Sequence, residues 1–213
     1  MSAPLQSEDA ERLERCLADG GVAVFPADTV YGLCCDPDNE GAARRMYALK
    51  GRPSARACAV MFFSLPDALA ALEQLLTDGE REVLQALLPG PMTLLLANRQ
   101  TRFGAACRSD PATLGLRVPR LPDALAALEG VGRPLMQTSA NRSGEPDART
   151  LAEVPDALLR GADLVLDGGA LPGVPSTVID LRDFDTEGRW HLLREGALRR
   201  DAVHEMLGSL QPG

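Results

Sequence analysis

Short apolar runs alternate with stretches of helical periodicity along the chain. Apolar residues recur at three- and four-residue spacings between 7 and 18 (Ala10, Leu13, Leu17), which predicts an amphipathic first helix. The unbroken run Val22-Ala-Val-Phe25 then predicts a buried strand over 21–26, followed by a loop and a second helix over 40–50. A strand is expected at 57–63, and Ser64 with Pro66 two residues later signals the start of a third helix. Another helix is predicted over 78–88, strands over 92–97 and 114–118, a helix from about 122, and a strand over 134–138. A helix after 149, strands at 164–166, 176–181 and 191–194, and a closing helix from about 201 complete the pattern. The octapeptide Leu-Pro-Asp-Ala-Leu-Ala-Ala-Leu occurs at both 65–72 and 121–128, and each copy is expected to open a helix of the same kind. Mixed strands and helices in this order call for an α/β layer fold, a sheet flanked by helices.

Composition fits one core. The chain has 213 residues, 45% hydrophobic and 24% charged, enough for a single domain expected over 7–205 with flexible termini at 1–6 and 206–213. It has neither a long apolar run nor a signal-like start, so a cytoplasmic protein without membrane contact is expected. Five cysteines, none in a C-x-x-C pair, argue against a disulfide framework or a zinc site, and the two histidines, His191 and His204, fall on terminal elements. The net charge of −8 argues against a protein that coats nucleic acid. Yet the stretch 41–66 carries Arg44, Arg45, Lys50, Arg52 and Arg56 and no acid, a local field suited to a small polyanion or to one contact with RNA.

Lysine sharpens that picture. Of the 22 basic residues only Lys50 is not arginine, so its retention suggests a task for a compact ammonium with three swivelling donors, such as holding phosphate oxygens. As the last residue before Gly51 and Pro53, the same lysine would also serve as an ordinary cation at a helix C-terminus. No P-loop or Rossmann glycine pattern is present, so other segments must supply phosphate donors. Asp28, Thr29 and Tyr31 follow a strand end, where α/β proteins place ligands, although they could equally cap a turn. Thr138-Ser139-Ala-Asn141-Arg-Ser143-Gly144 follows another strand with short hydroxyl and amide groups. Arg117 is a charge inside an apolar strand and needs a carboxylate, either a ligand's or an internal one. Ser176, Arg194 and the glycine-rich stretch 168–175, long enough to be a lid or clamp, complete the candidates.

In this order, P-x-D-T-V-Y-G-L, K-G-R-P, P-G-P-M-T, L-R-V-P, T-S-A-N-x-S-G, S-T-V-I-D and L-R-E-G closely resemble the YrdC-like family of L-threonylcarbamoyl-AMP synthases, over about 15–202. The resemblance implies a twisted mixed sheet with a concave ligand groove. It also implies synthesis of threonylcarbamoyl-AMP and pyrophosphate from ATP, bicarbonate and L-threonine, with Mg2+ carried mostly by the phosphates. The product would pass to downstream tRNA threonylcarbamoyl-transferase proteins, and weak contact with tRNA or double-stranded RNA would be possible. By the same resemblance Lys50 and Arg52 are catalytic, and Lys50, Arg52, Arg56, Ser139, Asn141 and Arg194 hold the nucleotide. Thr29, Tyr31, Arg117, Ser139 and Ser176 hold L-threonine. Ala27, Cys34, Arg56 and Met61 depart from the family's usual Thr, Gly, Asn and His. Two other activities fit the resemblance, adenylation of a carbamate for a different acceptor and a non-catalytic RNA-binding module of the same fold.

Overall fold

One sheet organises the molecule. A computed structural model describes residues 3–51, 53, 55–208 and 210. Its strands are β1 (Ala23–Pro26), β2 (Tyr31–Cys35), β3 (Ala59–Met61), β4 (Met92–Ala97), β5 (Thr113–Arg117), β6 (Leu135–Ser139), β7 (Leu164–Val165), β8 (Thr177–Asp180) and β9 (His191–Arg194). They lie in the order β7-β1-β2-β6-β3-β5-β4-β8-β9. Pairing is parallel at β1–β7, β3–β5 and β4–β8 and antiparallel elsewhere, the mixed sheet that was expected. The helices are α1 (Ser7–Ala18), α2 (Glu40–Lys50), α3 (Leu65–Ala71), α4 (Asp78–Leu87), α5 (Gly104–Cys107), α6 (Asp156–Gly161), α7 (Phe184–Glu187) and α8 (Arg200–Gly208). Among the described residues no helix is long and apolar enough to cross a membrane.

Local chemistry explains most boundaries. Helix α2 starts where the Asn39 side chain accepts the Ala42 N–H and stops at Gly51, whose φ of 63° is the left-handed conformation glycine adopts without strain. Helix α4 opens with a reciprocal capping box between Thr77 and Glu80. The two copies of the octapeptide differ. The first forms α3, with the Ser64 hydroxyl accepting the Asp67 N–H, whereas the second forms a 3-10 helix over Asp123–Gly130 whose preceding Pro122 offers no side-chain cap. Identical residues thus take different helices according to what precedes them, Ser64 in one case and Arg120 in the other.

Three expectations are corrected. The segment read as a loop before α2 contains β2, an inner strand whose Gly32 faces Phe25 of β1 so closely that a Cβ would lie 2.5 Å from the phenyl ring. The strand expected over 57–63 is only β3, because the Cys58 N–H turns to Ala106 O. The ends are packed further than expected: Leu5 is buried with its N–H on Ala124 O, and α8 buries Leu207 within the tail expected to be flexible.

Strand register creates the functional face. Ala59 lies beside Gln137 on one side and, through the parallel β3–β5 pairing, Met61 lies beside Arg117; Leu95 lies opposite Gly115, and Thr93 beside Val178. Period-two alternation sends Val60, Leu114, Leu116, Leu94, Leu96 and Ile179 to the opposite face, where they are buried in the core. Polar and small residues therefore share one face at the middle of the sheet.

Candidate active site

A cavity of about 360 Å³ opens on that face, walled by β3, β4, β5, β6 and β8 and by the loops after β1 and before β8. Ser139, the last residue of β6, lines it, and behind Ser139 lies Lys50, the last residue of α2. The Lys50 ammonium is buried, 5% exposed, and donates to the Ser139 carbonyl, to Ser139 Oγ at 3.2 Å and to Asn141 Oδ1 at 2.7 Å. Ser139 Oγ in turn donates to Asn141 Oδ1 at 2.7 Å. The lone lysine and the S-x-N segment, 89 residues apart in sequence at Lys50 and Ser139, are thus one unit. These three acceptors are neutral oxygens, and the Lys50 ammonium brings positive charge up to Ser139, which lines the cavity, where such charge attracts an oxyanion.

Two arginines, Arg117 and Arg194, line the same cavity. Arg194, from β9, donates through Nε and Nη2 to the Ser176 carbonyl at 3.1 and 2.8 Å and through Nη2 to Ser176 Oγ at 3.2 Å. Ser176 Oγ also meets Thr93 Oγ1 at 2.9 Å. This clasp needs Gly196, since a Cβ there would lie 2.2 Å from the Pro175 carbonyl. Arg117, 3% exposed, pairs with buried Asp28 at 2.6 Å through Nη2, which also lies 3.4 Å from Thr29 Oγ1. Both alternatives for Arg117 are therefore in play, since it has an internal carboxylate and still lines the cavity. Asp28 Oδ2 and Arg117 Nε are buried and have no hydrogen-bond partner. Burial holds the Asp28 carboxyl above its usual range against the pull of Arg117, and burial likewise lowers the Arg117 guanidinium against the pull of Asp28.

Other expected residues fall differently. Thr29 and Ser176 are buried in the cavity wall. Tyr31 is placed elsewhere: its hydroxyl donates to Asp167 Oδ1 at 3.1 Å or to the Gly169 carbonyl at 2.9 Å and accepts the Gly168 N–H at 3.0 Å. Burial pushes that phenol up to about 12, so it remains a neutral tether for the glycine-rich segment. The same segment is fastened again where the Leu171 N–H meets Arg149 O and the Gly173 N–H meets Thr29 O, which makes it a fixed strap. Arg56 is exposed, outside the cavity wall, while its neighbours Ala57 and Cys58 line it. Arg52 lies outside the described residues. Met61 and Ala27 are fully buried rather than lining the cavity.

Sequence reasoning missed Gln137, Ala59 and Gly115 as wall residues, which only the register brings to the pocket face. Thr93 was legible within P-G-P-M-T without a role, and its bond to Ser176 supplies one. Among the described residues no cluster of His, Cys, Asp or Glu could hold a metal ion.

Known proteins resemble this chain in sequence and in fold. The family model Sua5_yciO_yrdC, described as telomere recombination, matches residues 15–196. A threonylcarbamoyl-AMP synthase of Chromohalobacter salexigens is 34% identical over 84% of this chain and 97% of its own length. That of Pyrococcus abyssi is 30% identical over 92% of this chain, which spans only 56% of that relative's length. Among solved structures, P. abyssi Sua5 complexed with L-threonine superposes with a TM-score of 0.80 at 28% identity, covering 97% of this chain and 59% of that one. Escherichia coli YciO superposes with a TM-score of 0.75 at 27% identity, covering 91% of this chain and 92% of that one. Fold, motif order and family match agree that the chain belongs to the Sua5/YciO/YrdC family.

Proposed function

We propose that this chain is an L-threonylcarbamoyladenylate synthase, converting L-threonine, bicarbonate and ATP to threonylcarbamoyl-AMP, pyrophosphate and water. One observation carries the reading: the buried Lys50 ammonium is hydrogen-bonded to Ser139 and Asn141, and Ser139 lines one cavity together with Arg117 and Arg194. Names of relatives support it, as does the L-threonine complex of P. abyssi Sua5.

The residues suit the chemistry. Threonine nitrogen takes up the carbon of bicarbonate or carbon dioxide, giving a carbamate. A carbamate oxygen attacks the α-phosphorus of ATP, and the bond to the bridging oxygen breaks as pyrophosphate leaves. Reactants and products are anions, so catalysis rests on positioning them and on stabilising charge spread over phosphoryl oxygens. Lys50 and Arg52 serve that charge, with Ser139 and Asn141 orienting the nucleotide and Arg194 and Arg56 adding contacts to it. Thr29, Ser176 and Arg117 receive the amino acid, with its carboxylate on Arg117; Tyr31 acts through the strap it holds. Magnesium arrives with ATP, its ligands being phosphate oxygens and water. The product passes to a tRNA threonylcarbamoyl-transferase in the cytoplasm, and the basic 41–66 segment offers a weak contact to tRNA.

The test is pyrophosphate release from ATP with magnesium and bicarbonate. Release is expected only when L-threonine is added, with serine and other amino acids poorer. Release that ignores the amino acid, or none under any condition, overturns the reading.

A further inference from the structure

Gly115 sits in the middle of β5, itself between β3 and β4 in the interior of the sheet. Glycine weakens a strand interior and is retained there for a bulge, a tight bend or the close approach of another group. Neither backbone reason applies. Gly115 has no left-handed φ, it pairs with Leu95 in an unbroken register with β4, and the next two residues of β5 pair with β3. Internal packing does not exclude a side chain either: an added Cβ would meet the Ala59 Cα at 3.4 Å and the Leu95 Cδ2 at 3.5 Å, ordinary contacts. Gly32 and Gly196, by contrast, would collide with protein atoms at 2.5 and 2.2 Å. What Gly115 keeps open is therefore the cavity above it.

Ala59, Gly115, Leu95 and Val178 are only half-buried, although they lie at the centre of the sheet with buried residues on either side of each along its strand. They are the apolar floor of a cavity that three differently charged groups also line. Lys50 behind Ser139 suits phosphate, and Arg117 with Arg194 suits a carboxylate. The third group, Asp110 and Thr113, presents an acid and a hydroxyl, repels phosphate and accepts neutral donors such as ribose hydroxyls or a base amine. The pocket is built for a ligand, since Arg117, nine-tenths buried and more, lines it.

We propose that Gly115 is a specificity-determining residue: with Ala59 it forms the floor under the nucleoside of the bound nucleotide, and any larger side chain there excludes that nucleoside while leaving the amino-acid end open. The proposal rests on the synthase reading and deepens it.

Gly115→Ala and Gly115→Val separate the alternatives, with binding of ATP and of L-threonine each measured by calorimetry and folding followed by thermal melting. Both variants should melt at or above the wild-type temperature, because valine and alanine hold a strand better than glycine. ATP affinity should fall on the order of tenfold or more for valine and less for alanine, as for overfilling a pocket by one or two methyl groups. L-threonine affinity should stay within about twofold, the change expected of a site whose own contacts are untouched. Unchanged ATP affinity in Gly115→Val, or loss of threonine with ATP retained, overturns the assignment. If the valine variant does not fold, Gly115→Ala decides by the same two affinities. A wild-type protein that binds no ATP overturns the synthase reading itself, an outcome distinct from a wild type that binds ATP and a variant that binds it equally well.

Discussion

The Lys50 ammonium, buried and shared among three oxygens of Ser139 and Asn141, has little room for the longer, planar guanidinium of arginine. Lys50→Ala should cost about 3 kcal/mol of transition-state stabilisation, read as a fall in kcat/KM for pyrophosphate release, the scale of losing one preorganised donor. Lys50→Arg should be nearly as damaging; near-normal turnover in that variant would remove the lysine from the mechanism. Arg117 and Asp28 form a second test. Their side chains are each 4% exposed, so removing either charge strands the other, and Arg117→Met or Asp28→Asn should each lower unfolding free energy by about 3 kcal/mol. The double variant should lose less than the sum of the two, a coupling that urea denaturation of all four proteins measures. Lys50 was legible because composition singled it out, and Arg117 because a charge in an apolar strand demands a partner. Tyr31 was legible as a polar group near a ligand but not in its role, since its partners Asp167 and Gly169 lie 136 and 138 residues away in sequence.

At the scale of elements, helices with caps and amphipathic spacing were readable almost to the residue, α1 and α2 above all. Strand β2 was not, because Tyr-Gly-Leu-Cys-Cys shows no alternation and its glycine answers to a ring on another strand. The octapeptide marks the limit of local reading, for one sequence makes an α-helix and a 3-10 helix. Element junctions also carry pH dependence. Asp163 bonds Arg45 of α2 at 2.6 Å and accepts the Val22 N–H at 2.8 Å, joining α2 to the start of β1. The Arg45 hydrogen bond leads in holding this carboxyl below its ordinary value of 3.8, so its contribution to stability is present above that pH and lost as pH falls below it. Asp163→Asn should therefore destabilise the protein at neutral pH and converge with wild type in acid, when urea midpoints are compared from pH 7 down to about pH 3. A constant difference across that range would show that the charge does not matter.

For the whole molecule, fold class was readable from the alternation of periods, but strand order was not. The sheet places β6 between β2 and β3, so Ser139 meets a helix end 89 residues earlier, and no local pattern encodes that meeting. Net charge sets another property of the whole. At −8, with five cations and no acid over 41–66, the protein should bind tRNA weakly, and affinity should decline only gently with salt because few phosphates are contacted. Filter binding between about 50 and 200 mM salt measures that slope, and a steep one would mark an RNA-coating surface instead. The strap over 167–173 has a mechanical consequence. Its Gly173 amide is fastened to the carbonyl of Thr29, a residue of the cavity wall, so whatever steadies that wall also steadies this one bond. Deuterium uptake at Gly173 should slow when ATP and L-threonine are present, turning a single backbone proton into an occupancy gauge that needs no substitution anywhere in the chain.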